Sequence, residues 1–521
     1  LSSKLLLFSI ILFNLVCLKF GETARILTVI PTASISHQVV FRPLTQALAK
    51  RGHEVVVLTT DPAFSPENAP NNLKEIDIGK AVYEAKQFQF SATAKGNTND
   101  IYIQVTKFFQ LFLTLFEVLL KTKEVENLLS DKSQHFDLII VEACVRPALV
   151  FSHIYKAPVI WVSSVGAFNT LGEIMGASVH PLLYPNILHQ RLYNLTLLDK
   201  VKELNRHYKF DKIIRDQEEE DNAMLKRVFG DDVPTVSEMF NNVQMLFVGT
   251  YQIWDDNRPV PPNYLYIGGI HTDGQKKDLP SHLESYLNSS KNGVIYMSFG
   301  TNIYPSVLPP KIIQTFLNVL SQLAFDVILK WDKEVLPGCP KNVRIYESVP
   351  QIALLRHPKI KLFITQGGQQ STDEAISAGV PLIGIPMVVD QWSNAEKYVK
   401  HKIGLRLDME TLTDEKFLNA IRTVTEDHSY RRNVEKLRQL VNDQPETPLN
   451  RAVWWTEHVI RHGGARHLRA EAANMPWAEF LEIELITTLL LVICFTVIAL
   501  FWCLKLLFIS LKTFEIKVKQ G

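Results

Sequence analysis

The chain has 521 residues, 55 basic and 54 acidic side chains, and a hydrophobic content of 46%. This length exceeds one ordinary domain and predicts two, each with its own core. A formal charge of +1 gives no electrostatic reason to expect nucleic acid as a partner. Five cysteines are too few for a disulfide framework. We expect Cys144 and Cys339 to be separate buried thiols, with a bridging or reactive pair as the alternative.

The N-terminal segment, residues 1–24, has the composition of a cleavable secretory signal. A lysine precedes an apolar stretch over residues 5–18, and the segment ends in two small residues. A secreted body would make two N-glycosylation sequons usable, one beginning at Asn194 and the other at Asn288.

The C-terminal segment predicts a membrane anchor. Residues 485–504 carry no charge, which is enough length for one helix across a hydrocarbon core of roughly 30 Å. Acidic residues precede this stretch and lysines follow it in the tail 505–521, so the positive-inside rule places the tail in the cytosol. Lys517 and Lys519 resemble a dilysine signal for the endoplasmic reticulum. We therefore expect a single-pass type I protein of that membrane with a lumenal body. A buried core helix and a plain basic tail are the alternatives.

The body predicts two α/β units. A strand at residues 25–30, a helix at 38–51 and a strand at 55–58 form a βαβ unit, which implies a parallel sheet. Further elements expected in this half are strands at 137–141 and 159–162, a helix at 101–120 that is either buried or on a membrane surface, and a helix at 202–227 whose acidic run is a solvated face.

Proline and glycine cluster at residues 258–281 and indicate a linker. The alternation then restarts, with strands predicted at 294–299, 327–331, 360–365 and 381–385 and helices at 311–323 and 369–378. Ligands of such sheets bind beyond the carboxyl ends of the strands, so we expect a cleft between the two units.

The segment 342–394 is the richest in chemistry. A strand ends at Thr365, a pair of glycines allows close approach of the backbone to a ligand, and a helix opens with Ser371 and Thr372. Free N–H groups and the dipole at a helix N-terminus favour an anion such as phosphate. A plain helix cap is the alternative. There is no G-x-G-x-x-G, P-loop, H-E-x-x-H or D-x-D motif, which disfavours dinucleotide oxidoreduction, P-loop phosphoryl transfer and metal-dependent sugar transfer.

This segment resembles the nucleotide-sugar signature of the UDP-glycosyltransferases, in particular the membrane-anchored animal UDP-glucuronosyltransferase type in an invertebrate-like form. The resemblance implies two facing Rossmann-like doubly wound domains of the GT-B type plus one C-terminal transmembrane helix. The implied division is a signal peptide 1–24, an acceptor-binding domain 25–275, a UDP-sugar-binding domain 285–445, C-terminal helices 446–484, the transmembrane helix 485–504 and the tail 505–521.

The resemblance also implies roles for individual residues. His37 matches the catalytic histidine, and Glu142 falls where its acidic partner sits. His37 opens the helix after the first strand and Glu142 follows another strand of the same sheet, so both should face the cleft. The residues matched to the UDP-sugar are Gly300, Thr301, Gly368, Ser371 and Thr372 at the diphosphate, Glu374 at the ribose, Gln351 at the uracil, and Asp390 and Gln391 at the sugar.

Two positions depart from the family's pattern. Ser348 stands where a tryptophan usually stacks on the uracil, and Gln366 stands where a histidine often lies near the α-phosphate. Both changes imply weaker donor binding. They keep open a catalytically weakened, lipophile-binding relative that scaffolds an active partner. A transferase acting on lipid or polymer and a membrane receptor are further alternatives.

The expected function is inverting transfer of a hexose from a UDP-sugar to a hydroxyl of a small lipophilic acceptor. No metal and no cofactor are implied, since the UDP-sugar is a co-substrate. The donor stays open between UDP-glucose and UDP-glucuronate, because Arg258, which matches an arginine of the vertebrate glucuronosyltransferases, does not decide it. The membrane is an expected partner, nucleic acid is not, and a homo-oligomer stays open.

Overall fold

The computed structural model describes residues 23–93, 100–272 and 278–520. These residues form two parallel sheets covered by helices, which confirms the predicted α/β class with two Rossmann-like domains. The expected signal segment lies outside the described residues, except for its last two positions.

The first sheet has seven strands in the order β3-β2-β1-β4-β5-β6-β7, and all neighbours are parallel. Its central strands are buried along their whole length, as expected when helices cover both faces. The strands are β1 (Arg25–Ile30), β2 (Glu54–Thr59), β3 (Leu73–Asp77), β4 (Leu138–Glu142), β5 (Val159–Ser163), β6 (Val243–Val248) and β7 (Tyr264–Tyr266).

The helices of the first unit agree with the sequence-based prediction where the apolar residues have regular helical spacing. They are α1 (Ile35–Lys50), α2 (Gly79–Thr93), α3 (Ile101–Leu120), α4 (Lys123–Ser130), α5 (Val150–Tyr155), α6 (Asn169–Met175), α7 (Leu197–Phe229) and α8 (Val236–Met239). Of the two alternatives for α3, packing onto the sheet is the one observed, because Val105, Phe116 and Leu119 belong to the core of this unit.

Two expectations for the first unit are wrong. The acidic run on α7 is not wholly solvated: Asp221 is buried and accepts a hydrogen bond of 2.9 Å from the guanidinium of Arg146. The segment 258–281 is not only a linker, because it contributes β7 to the edge of the first sheet. Strand β7 pairs with β6 over only three residue pairs. Because prolines surround this short strand in the sequence, the sequence pattern did not reveal it.

The second sheet has six parallel strands in the order β10-β9-β8-β11-β12-β13. The strands are β8 (Val294–Ser298), β9 (Asp326–Lys330), β10 (Val343–Tyr346), β11 (Ile360–Thr365), β12 (Leu382–Gly384) and β13 (Gly404–Arg406). The helices are α9 (Ser281–Ser289), α10 (Pro310–Ser321), α11 (Gln351–Leu355), α12 (Gln369–Ala378), α13 (Gln391–Lys400), α14 (Asp414–Glu426) and α15 (Ser429–Asn442).

After the second sheet the chain returns to the first. Helix α16 (Pro448–His462) packs on α1, and Val453 and Val459 join the core cluster that contains Val40 and Leu44. Its Glu457 accepts a hydrogen bond of 2.9 Å from the guanidinium of Arg51. Helix α16, within the C-terminal region predicted over 446–484, therefore completes the first unit.

The chain ends in a short helix α17 (Trp477–Phe480) and a long helix α18 (Ile483–Gln520). The most apolar part of the stretch Ile483–Thr513 of α18 has a mean hydropathy of 2.7 and is not buried by the rest of the protein. The length and composition of Ile483–Thr513 suit a membrane span. This stretch is longer than the predicted span 485–504. Helix α3 meets the same criteria of length and composition but is partly buried.

Candidate active site

The two sheets each have one topological switch point, and the predicted site residues gather at both. In the first sheet the order reverses between β1 and β4, and in the second between β8 and β11. His37 lies in the first turn of α1, directly after β1. Glu142 is the last residue of β4, whereas the sequence predicted it directly after the strand. Ligands of open α/β sheets bind at such points.

His37 and Glu142 are in direct contact. The distance from His37 Nδ1 to Glu142 Oε2 is 3.1 Å, the carboxylate is fully buried, and the imidazole is 15% exposed. A carboxylate on Nδ1 favours the tautomer whose proton is on that nitrogen, which leaves a lone pair on Nε2. The imidazole therefore has the arrangement of an oriented general base.

Ser164 is a third member of this group that the sequence analysis did not find. Its hydroxyl lies 2.6 Å from His37 Nδ1, and its backbone N–H donates to Glu142 Oε1 at 3.5 Å. Ser164 follows the carboxyl end of β5, so the rule that pointed to Glu142 would have found it. We infer that Ser164 positions the imidazole together with Glu142.

Cys144 also lies close to this pair, and the donor atoms of His37, Glu142 and Cys144 are within 4.8 Å of one another. Burial and the Glu142 carboxylate raise the pKa of the Cys144 thiol well above its usual range. The Cys144 thiol is therefore neutral beside the carboxylate. Of the two thiols expected to be buried, Cys144 is buried and Cys339 is exposed.

An apolar wall stands beside His37. Phe112 on α3 meets the imidazole edge to face at a centroid distance of 6.5 Å, and Phe108 packs on Phe112. Both phenyl rings are only partly buried. A lipophilic molecule bound against them would lie next to the base.

The loops after β8 and β11 form the candidate diphosphate site. Gly300 has a φ of +78°, and a Cβ there would lie 2.4 Å from Gln366 Nε2. The carbonyl oxygen of the Gln366 amide is buried and has no hydrogen-bond partner among the described residues. Lys330, which was not predicted, donates to the Gly300 carbonyl at 2.9 Å. Gly368 is the N-cap of α12, so the free N–H groups of that helix point into the same space.

The other predicted diphosphate residues differ in what they can offer. Thr301 is exposed at the mouth of the β8 loop. Ser371 lies in the first turn of α12, where its hydroxyl accepts a hydrogen bond of 3.0 Å from Gln351 Nε2. Thr372 is fully buried, and its hydroxyl bonds to the Gly368 carbonyl and to Tyr398. The structure therefore places the Thr372 side chain inside the helix packing and not in the site.

Glu374 and Gln351 form the candidate nucleoside end of the site. Gln351 Nε2 donates to Glu374 Oε2 at 2.7 Å, and its carbonyl accepts from the Tyr296 hydroxyl at 2.9 Å. Burial raises the pKa of Glu374 to about 7. His271 approaches Glu374 at 3.6 Å, but burial lowers its pKa to about 4, so this imidazole is neutral. Ser348 is exposed beyond the end of β10.

Asp390 and Gln391 lie at the start of α13 and have different surroundings. Burial raises the pKa of Asp390 to about 6, and the nearby His37 of the other unit opposes this rise. The side-chain carbonyl oxygen of Gln391 accepts hydrogen bonds from the backbone N–H groups of Met387 and Val388. Gln391 therefore braces the loop, with only its amide nitrogen left for a sugar hydroxyl. Val389 has a φ of +50°, a strained value for a β-branched residue.

Among the described residues, hydrogen bonds cross from the first unit to the loops of the second. Gln370 Nε2 donates to the Ser164 carbonyl at 2.7 Å, and Asn302 Nδ2 donates to the Ser34 hydroxyl at 3.0 Å. Gln104 on α3 reaches the Met387 carbonyl at 3.5 Å. The carboxyl ends of the two sheets consequently face each other across one cleft.

Arg258 does not reach this cleft as a free cation. Its side chain is 1% exposed and pairs with Asp255, and one of its N–H groups donates to the Asn169 amide oxygen at 3.2 Å. The predicted glycosylation residues Asn194 and Asn288 are exposed, and their modification stays a prediction.

Comparisons with known proteins agree with this geometry. A family model described as "UDP-glucoronosyl and UDP-glucosyl transferase" matches residues 25–520. The chain belongs to this family. It is 34% identical to an ecdysteroid UDP-glucosyltransferase of Lymantria dispar multicapsid nuclear polyhedrosis virus, over 92% of this chain and 96% of the relative. It is 32% identical to UDP-glucosyltransferase 2 of Dactylopius coccus, over 92% of both chains. The protein is therefore a UDP-glycosyltransferase that transfers a sugar from a UDP-sugar to an acceptor.

Solved structures support the fold of this UDP-glycosyltransferase. The glycotransferase of kitacinnamycin matches with a TM-score of 0.55 at 18% identity, covering 85% of this chain and 99% of its own. The calicheamicin glycosyltransferase CalG4 matches with a TM-score of 0.53 at 15% identity, covering 85% and 99%. These likenesses establish the GT-B architecture.

The raised pKa of Glu374 predicts that UDP binding depends on pH. Ribose hydroxyls donate hydrogen bonds, so UDP favours the ionised carboxylate, which predominates only above about pH 7. UDP affinity should therefore fall from pH 8 to pH 6, and binding at pH 7 should release about half a proton from this group. Calorimetry in two buffers of different ionisation enthalpy measures that release. Glu374→Gln should remove the proton release that comes from this carboxyl, whereas any release from the UDP phosphates should persist. Equal proton release in the wild type and the variant would contradict the role of Glu374 at the ribose.

Proposed function

We propose that this UDP-glycosyltransferase transfers glucose from UDP-glucose to a hydroxyl of a small lipophilic molecule, with inversion at the anomeric carbon. The observation that carries the proposal is the contact between His37 and the buried Glu142 at the switch point facing Asp390. His37 Nε2 takes the proton of the acceptor hydroxyl as the oxygen forms its bond to C1 of the sugar. Glu142 stabilises the imidazolium that results.

The leaving UDP accumulates negative charge next to the N-terminus of α12. The N–H groups after Gly368, the amide of Gln366 and the ammonium of Lys330 are the polar groups at this place. Preorganised donors of this kind stabilise a developing charge. On this proposal the reaction needs no metal ion, and a chelator should leave the rate unchanged.

Glucose is the proposed sugar for two reasons. The curated relatives compared above are named glucosyltransferases. In addition, the guanidinium of Arg258 is occupied by Asp255 and Asn169, so it cannot pair with the carboxylate of a glucuronosyl group. Asp390 near the sugar position would repel such a carboxylate once ionised.

The proposed acceptor is an apolar molecule with a hydroxyl, such as a steroid or a phenol. The partly exposed rings of Phe108 and Phe112 flank His37, and α3 supplies a largely apolar surface around them. Several relatives carry the name ecdysteroid glucosyltransferase, which favours the steroid class.

The decisive experiment offers membranes containing the protein UDP-glucose or UDP-glucuronate together with a panel of steroids and phenols. Mass spectrometry should detect glucosides and no glucuronides, and the anomeric proton coupling should show the β configuration. Glucuronide as the main product would contradict the donor assignment. Absence of any product with tight UDP binding would favour the weakened, scaffolding relative.

We further propose that Ile483–Thr513 anchors the enzyme in the endoplasmic reticulum with its body in the lumen. The support is the uncharged stretch 485–504 within α18 and the lysines that follow this stretch. Protease added to sealed microsomes should remove only the tail, whereas digestion of the whole body would overturn this orientation. Replacing Lys517 and Lys519 by serine should abolish retention if the two lysines form the retrieval signal.

A further inference from the structure

Three histidines lie close together at the end of α16. In the sequence they are distant from the residues of the candidate active site. His458 and His462 are four residues apart and share one face of α16. His467 lies in the short 3-10 turn Arg466–Leu468 that follows Gly463 and Gly464. The Nε2 atoms of His458 and His467 are 3.1 Å apart. Neither the reaction nor the membrane anchor uses these side chains.

The spacing of the three rings suits a shared metal ion. Zn–N bonds of about 2.0–2.1 Å in a tetrahedral site place neighbouring ligand nitrogens about 3.3 Å apart and their ring centroids about 5 Å apart. The observed centroid distances are 5.2 Å between His458 and His467 and 4.5 Å between His458 and His462. The His462–His467 distance is 6.0 Å, and both of these side chains are exposed, so a rotation of the His462 ring closes the third side.

The surroundings hold the first ligand in place. Trp454 stacks on the His458 ring at 5.3 Å, and Trp455 meets its edge at 5.1 Å. The adjacent Arg461 pairs with Glu457 and lies over the Trp454 ring.

We propose that His458, His462 and His467 form a binding site for a borderline divalent cation such as Zn²⁺, with water in the fourth position. Imidazole nitrogen suits Zn²⁺, Cu²⁺ and Ni²⁺, whereas Mg²⁺ and Ca²⁺ require oxygen ligands. The site would clamp the turn at Gly463 and Gly464 to α16, just before the segment that leads to α18. This site is separate from the sugar-transfer reaction.

The test uses the full chain in detergent at pH 7.5, without an affinity tag and freed of metal by a chelator. Zinc is titrated against a chromogenic chelator that competes for it. We expect one Zn²⁺ per chain with micromolar or tighter affinity, and His458→Ala, His462→Ala and His467→Ala should each weaken it by at least about tenfold. Saturating zinc should also raise the melting temperature of the wild type but not of the His467→Ala variant.

Two matched controls make the result specific. His428 is a single exposed histidine at the N-cap of α15, so His428→Ala should bind zinc as the wild type does. His37→Gln should also bind normally, because the cluster of His37, Glu142 and Cys144 is the competing location for a cation. Zinc binding that survives in the three-histidine triple variant, or that is lost in His37→Gln, would overturn the proposal. His462 and His467 are exposed, so their variants will fold.

Discussion

Replacing His37 by glutamine should lower kcat by about 10²–10⁴ while UDP binds as before. Among the groups described at the first switch point, the imidazole is the one with a free ring nitrogen that can act as a base. Glutamine keeps a polar side chain of similar reach but has no basic nitrogen. UDP is expected to bind at the loops of the second unit, whereas His37 belongs to the first unit. Steady-state kinetics with UDP-glucose and calorimetry with UDP measure the two quantities separately.

The neighbours of His37 give a graded control for this prediction. Glu142→Gln should reduce kcat less than His37→Gln and should shift the pH–rate profile, because it orients and stabilises the imidazolium without taking the proton. Ser164→Ala should have the smallest effect of the three. A His37→Gln enzyme that retains more than about a tenth of the wild-type rate would exclude the histidine as the base.

Replacing Asp221 by alanine should lower the free energy of unfolding by about 3–5 kcal/mol. Asp221 and Arg146 are 3% and 7% exposed, and their hydrogen bond is 2.9 Å. Burial raises the pKa of Asp221 although Arg146 opposes the rise, so the pair itself adds little net stability. The cost of the substitution comes from leaving the buried guanidinium without its nearest carboxylate, with Glu218 at 4.0 Å as its remaining ion pair.

Asp216 on the same helix provides the matched control. Its side chain is 59% exposed and pairs with Lys212 at 2.8 Å, four residues away. Asp216→Ala should change stability by less than about 0.5 kcal/mol. For a domain of this size the melting temperature changes by about 2–4 °C per kcal/mol, so thermal unfolding separates the two variants clearly. Equal melting temperatures would show that Arg146 finds another partner.

The sequence predicted those parts of the fold that depend on local pattern. Strand β11 and helix α12 have the predicted bounds, because the apolar run and the capping glycine are both local signals. The family resemblance matched His37 and Glu142 to a catalytic pair, and the strand-end rule agreed in placing both at the cleft. Ser164 obeys the same rule and could have been found with it.

Features that depend on distant partners could not be predicted. Asp221 has the sequence context of a solvated charge, and only the fold brings Arg146 to it across 75 positions of the chain. The buried state of Thr372 depends on its contact with Tyr398. Strand β7 consists of three residues, and its pairing with β6 arises only once the sheet exists. Local propensity carries no information about such pairings.

The return of α16 onto α1 has a consequence for synthesis. The last strand of the first sheet ends at Tyr266, but the helix that covers α1 begins only at Pro448. A ribosome that adds about 5–20 residues per second needs about 10 s or more to make the intervening chain. During that time the apolar side of α1 facing Val453 and Val459 stays uncovered. The first unit can therefore mature only after the second has been made, and a nascent chain stopped before Pro448 should be a preferred substrate of chaperones.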